Sequence, residues 1–219
     1  MGQAGADGDG AGGLRGAELA VASPRVSLEQ NRLYAGSMNY YGARELAESF
    51  RTVRKNTLTI AEEIGEEHYG FRATPDTRTV AQTLVHIALT SRFQEQIHGV
   101  EHRTTMEGFD FPGFIRRIRA EEQVPRTTAE IIGMLREGGD HFSKWLEGLS
   151  EELMGERVSF PAGATPPDKS RFEMLLGVKE HEMHHRGQLM LIERMVGVVP
   201  HLTRAFQERM AAAAAAAKQ

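Results

Sequence analysis

Lys179-Glu180-His181-Glu182-Met183-His184-His185-Arg186-Gly187-Gln188-Leu189 carries three of the chain's nine histidines within five residues. On an α-helix, residues i and i+4 stand one above the other on the same face. His181 and His185 have that spacing, so their imidazoles can share one metal ion, with a third ligand supplied from elsewhere. The surrounding pattern is helical. Ser170-Arg171-Phe172-Glu173 has the form of a capping box, in which serine and glutamate satisfy two free amides of a first turn. The helix is expected to run to about Val198, before Pro200. Its inward stripe reads Met174, Val178, His181, His185, Ile192 and Met195, so both histidines fall on the packing face. Glu182 lies about 100° round from His181. His184 is on the other flank, and Gln188 is close to the ligand line one turn on.

Three more amphipathic helices precede this one. Residues 40–64 repeat Leu46, Phe50, Val53, Thr57, Ile60 and Ile64 every three or four positions. A second helix opens at the capping box Thr79-Val80-Ala81-Gln82 and runs to about His98, with His86 facing the interior. Residues 99–126 form a long connection, with a short helix expected over 115–122. A third long helix starts at Thr127-Thr128-Ala129-Glu130. Its stripe is Ile131, Leu135, Phe142, Trp145 and Leu149, and Gly138 and Gly139 weaken it in the middle. Residues 150–169 read as a proline-bearing loop. Four helices with no strand pattern and no repeat specify an all-α protein, a four-helix bundle.

The bundle domain is placed at residues 38–206. The glycine-rich residues 1–37 read as a disordered tail. Met38 is the expected native start. Residues 207–219 form an alanine-rich tail, either a helical extension or disordered.

Composition narrows the function. The net charge of −4 gives no basic field for nucleic acid. With no cysteine there is no disulfide, no thiolate ligand and no cysteine nucleophile. No apolar run approaches the roughly 20 residues a membrane span needs, and the N-terminus has no apolar signal region. A cytoplasmic protein is therefore expected, without nucleic-acid or membrane partners.

Three readings of the histidines compete. His86, His181 and His185 can form a metal site inside the bundle, three nitrogens leaving a fourth position for water. An open position is what catalysis needs, because the ion acidifies a bound water or thiol. Alternatively, His181-Glu182-Met183-His184-His185 matches the H-E-x-x-H pattern of zinc peptidases, with Glu182 as base and Glu208 as a distant third ligand. The longer peptidase pattern fails, since Gln188 and Leu191 stand where glycine and histidine belong. In the third reading the histidines are structural. Two unpartnered histidines on a core stripe would be costly. His68, His98, His102, His141 and His201 have no organising partner in sequence and are expected at the surface or in loops. Glu182 and His184 are the candidates for proton transfer.

The segments Thr79-Val80-Ala81-Gln82-Thr83-Leu84-Val85-His86-Ile87-Ala88 and His181-Glu182-Met183-His184-His185-Arg186-Gly187-Gln188-Leu189 resemble those of DinB-like (DinB/YfiT) four-helix-bundle proteins. That family is named for a DNA-damage-inducible member. The second segment is similar to its H-x-x-x-H-R-G-Q motif, and the resemblance covers residues 39–204. It implies a divalent ion, zinc or nickel, on His86, His181 and His185 with a water completing the shell. It also implies a homodimer and, in some relatives, transfer of a low-molecular-weight thiol. The expected function is a metal-dependent enzyme acting on a small molecule, transferase-like or hydrolase-like. The alternative is a non-catalytic metal-binding module for stress response or interaction.

Overall fold

The computed structural model describes residues 41–217; the tail assigned to residues 1–37 and the start at Met38 lie outside them. Four long helices carry the bundle: α1 (Ala43–Glu63), α2 (Val80–Gln94), α4 (Thr128–Glu147) and α6 (Arg171–Met195). α2 continues into a π-helical turn over Glu95–Val100. Three expected capping boxes close in full. Thr79, Thr127 and Ser170 each accept from the amide three residues on, and Gln82, Glu130 and Glu173 return the bond. α3 (Phe111–Glu122) starts earlier than expected. The Asp110 side chain accepts from the Gly113 amide, and Pro112 fits the first turn, where no amide bond is lost.

α1 packs on α4 and α6, and α2 packs on the same two helices. The two helices adjacent in sequence therefore lie across the bundle diagonal. α6 touches α2 along one side and α1 along the other. Its histidines can thus face His86 on α2, while Glu182, about 100° round, faces α1. Two of the three apolar clusters fill the interior between the long helices. Ile60, Leu84, Ile87, Leu135 and Leu189 centre one, and Leu46, Phe50, Phe142, Leu146 and Leu175 the other. Between them crosses a buried ion pair. Arg54 Nε and Nη2 each donate to a Glu182 oxygen at 2.9 Å, and Arg54 Nη1 donates to the Leu135 carbonyl. A Cβ at position 139 would sit 2.7 Å from Arg54 Cγ. Gly139 therefore costs α4 some helix propensity but gives the arginine its path.

Several expectations need correction. Residues 150–169 are not all loop: α5 (Glu151–Gly155) is followed by β1 (Arg157–Ser159) and β2 (Asp168–Ser170), an antiparallel pair with Arg157 opposite Ser170. Three-residue strands are too short to leave an alternating pattern in sequence. α7 (His201–Ala216) runs through the boundary drawn at 206/207, because alanine favours helix. Met195 is half exposed rather than inward, since α6 ends there. No helix among the described residues is long and apolar enough to cross a membrane.

His98 is the clearest misplacement. It is 1 % exposed, not a surface residue. The equally buried Arg171 donates through Nη1 to His98 Nδ1 at 2.8 Å, which fixes the proton on Nε2, and Nε2 donates to Gln94. Burial, and then the Arg171 charge, push its pKa down to about 4. The unfolded chain takes up this proton as pH falls through about 6.5, whereas the folded chain resists until about 4. The stability linked to His98 is therefore complete above about 6.5 and lost as pH falls toward 4. Between pH 7 and 4.5, wild type should lose on the order of 2 kcal/mol more stability than His98→Gln, which cannot titrate. Urea melts at the two pH values measure this; parallel losses would refute it.

Candidate metal centre

Position 86 lies on α2 and positions 181 and 185 lie one turn apart on α6. The packing of α2 against α6 brings their side chains together. His86 Nε2 is 3.1 Å from His181 Nε2, and His185 Nε2 is 3.2 Å from the same atom. The opposite ring nitrogens point outward to three different acceptors. His86 Nδ1 donates to Glu122 Oε1 at 2.7 Å, and His185 Nδ1 donates to Gln188 Oε1 at 2.8 Å. Thr90 spends its hydroxyl proton on the His86 carbonyl, so its oxygen accepts from His181 Nδ1 at 3.3 Å.

These partners fix the tautomers. With every Nδ1 donating, every Nε2 presents a lone pair, and three lone pairs converge with no proton between them. That arrangement is repulsive by itself and suits a cation. Tetrahedral coordination at about 2.0–2.1 Å from nitrogen needs ligand atoms roughly 3.3–3.4 Å apart, close to the 3.1 and 3.2 Å that separate His86 and His185 from His181. Burial, then the neighbouring imidazoles, push His181 down to about 4. Burial does the same for His185, against the Gln188 hydrogen bond. Neutral imidazole is the form a metal needs. Burial alone would raise Glu122, but hydrogen bonds from His86 and Arg78 hold it below the usual carboxylate range. An ionised Glu122 orients the His86 ring and holds its Nδ1 proton, as carboxylate partners of metal-bound histidines do.

The DinB family model matches residues 36–216. The chain belongs to the DinB family. Two solved structures from Bacillus subtilis share its fold. The DinB-like protein YjoA aligns over 70% of this chain and 92% of its own, at 19% identity and a TM-score of 0.51. YfiT aligns over 80% of this chain and 93% of its own, at 14% identity and a TM-score of 0.55. It is described as "a probable metal-dependent hydrolase with an unusual four-helix bundle topology". No curated protein matches the chain.

The other candidate residues of this DinB protein are placed elsewhere. Glu182 is 2 % exposed with both oxygens held by Arg54, and it is not among the side chains that gather with the histidines. The peptidase reading placed it as a base at the ion; here it ties α6 to α1. Glu208, that reading's third ligand, is exposed on α7 and also outside the group. His184 is exposed, its ring edge-on to His185 and its Nε2 accepting from the Gln188 amide. Glu122, Thr90 and Arg54 were missed in sequence. Thr90 stands one turn from His86 and was in principle findable. Glu122 is 36 residues from its histidine, with no spacing to betray it.

Two cavities reach the histidines. One of about 590 Å³ includes His86 and His181 in its wall and is otherwise mostly apolar. The other, about 700 Å³, includes His185, Gln188 and Glu122 and carries Arg72, Arg78 and Arg119.

Proposed function

We propose that this DinB protein is a divalent-metal-dependent enzyme, hydrolase-like, acting on a small molecule at a centre held by His86, His181 and His185. Zinc or nickel is the proposed ion. The observation that carries this reading is the convergence of three Nε2 lone pairs, each opposite an Nδ1 that donates to its own acceptor. The description of YfiT as "a probable metal-dependent hydrolase" agrees with it.

A divalent ion on three imidazoles supplies a Lewis acid that acidifies a bound water or polarises a substrate oxygen. The chain does the rest. Glu122, Thr90 and Gln188 hold the three Nδ1 protons and so keep every Nε2 available as a ligand. Arg78 donates to Glu122 at 2.8 Å and keeps that carboxylate ionised. The apolar cavity limits water on the side of His86 and His181. The polar cavity gives water a route on the side of His185.

A second reading is favoured by the arginines of the polar cavity. Arg72, Arg78 and Arg119 would suit an acidic low-molecular-weight thiol as the nucleophile in place of water. Metal-loaded protein assayed against nitrophenyl esters, and against a chromogenic electrophile with and without glutathione, separates the two. Ester turnover without thiol supports the hydrolase, and strict thiol dependence supports the transferase. Failure of the purified protein to retain any divalent ion would overturn both. In either case Glu122→Gln should weaken metal affinity 10–100-fold, read by competition with a chromophoric chelator.

A further inference from the structure

Five phenylalanines contribute to the apolar cavity wall. Phe93 on α2, Phe109, Phe111 and Phe114 at the start of α3, and Phe160 after β1 surround it. Phe93 stands at the centre, with its ring 5.6 Å from Phe109, 5.8 Å from Phe111 and 5.1 Å from Phe114. His86, Thr90 and His181 line the same cavity. Lys169 and Glu173 also line it, and their opposite charges add no net formal charge to the wall. The volume falls within the range of small-molecule sites, which are mostly apolar with a few polar groups that fix orientation.

Gly177 lines this cavity on α6, four residues before His181. Nothing in the backbone requires glycine there. The glycines with positive φ are Gly108, Gly163 and Gly197 among the described residues. A Cβ built at position 177 meets no atom within 4 Å. A glycine inside a long helix weakens it relative to alanine. Side chains on a helix lean toward its N-terminus, so His181 leans over the turn that holds position 177. A side chain at 177 would fill the space beside the His181 ring.

We propose that the phenylalanine-lined cavity binds an uncharged aryl or alkyl portion of the substrate, and that Gly177 is the specificity-determining residue that lets that portion reach His181. Larger residues at 177 restrict the site to smaller apolar groups. The statement that the reacting polar end lies at the histidines rests on the proposed metal centre. The binding compartment itself does not.

The test is a fluorescence titration of the full-length protein, stripped of metal by chelator, with the uncharged probe N-phenyl-1-naphthylamine. Wild type should bind it saturably at one site. Gly177→Leu should weaken binding at least tenfold while keeping its helical circular dichroism. Gly177→Ala, which adds one methyl group, should bind within a few-fold of wild type and melt no lower. Gly133→Leu, at another glycine whose Cβ would meet nothing, should bind as wild type does. Phe111→Glu serves as a second variant at the cavity wall, where the residue is 50% exposed and the substitution is tolerable for folding; it too should weaken the probe at least tenfold. Wild-type affinity in both folded Gly177→Leu and Phe111→Glu would overturn the proposal, as would no saturable binding by wild type. Metal retention by Gly177→Leu is measured separately, and loss of the ion from histidine variants bears on the metal centre alone.

Discussion

His181→Ala should abolish binding of the proposed divalent ion. His181 Nε2 is the atom from which both other ligand nitrogens are measured, at 3.1 Å to His86 and 3.2 Å to His185. Removing it leaves two nitrogens on different helices. Replacing partners outside the ligand shell typically costs 10–100-fold in metal affinity, and removing a ligand should exceed that range. Elemental analysis after dialysis should give near-stoichiometric metal for wild type and almost none for His181→Ala, with the same direction for His86→Ala and His185→Ala. A bound ion stabilises the folded state by mass action. Chelation should therefore lower the melting temperature of wild type and leave that of His181→Ala unchanged. If His86→Ala kept full affinity while Glu208→Ala lost it, the ion would belong to an H-E-x-x-H site and the three-histidine assignment would fall.

Glu182→Ala should destabilise the fold severely. It leaves the Arg54 guanidinium, 5% exposed at its side chain, buried without its counter-charge. Breaking a buried pair from one side costs about 3–5 kcal/mol. For a chain of this size each kcal/mol shifts the melting temperature by about 2–4 °C, so a fall of roughly 6–20 °C is expected. Replacing both partners together, Arg54→Met with Glu182→Leu, should recover much of it, because no lone charge remains. Metal content should be unaffected in Glu182→Gln. If Glu182→Gln kept wild-type stability but abolished turnover, Glu182 would be a catalytic base instead of the structural partner of Arg54.

These two experiments separate residues that stand side by side in the chain. His181 and Glu182 are adjacent, yet one faces α2 and the other α1. The helix period puts them about 100° apart, and the arrangement of the bundle gives each direction a different neighbour. The short match to a peptidase motif was misleading because it fixes spacing along one helix. It carries no information about which helix lies opposite.

Much of the fold was legible from the capping boxes at Thr79, Thr127 and Ser170 and from the apolar stripes between them. Caps and stripes are local: they depend on residues three or four apart, and a single chain displays them. Two candidate ligands were legible for the same reason, being one turn apart on a packing face. His86 could be named because it lies on the inward side of another helix. His98 could not be placed, since its partner Arg171 is 73 residues away and nothing near either residue marks the pairing. The β1–β2 pair was invisible for a related reason, its bonds being formed between short segments with no pattern of their own.

The sequence by itself determined the four long helices, most of the faces they bury, and the two histidines that share a line on α6. The tertiary structure alone decided that α1 and α2 lie across the diagonal, and that consequence reaches the site. With α6 between them, His181 and His185 meet His86 on one side while Glu182 meets Arg54 on the other. It also decided that Glu122, Thr90 and Gln188 each hold one imidazole proton, turning the stretch from Lys179 to Leu189 into a centre of converging lone pairs. Helical periodicity is written in neighbouring residues, whereas burial and charge pairing depend on which distant surfaces come into contact.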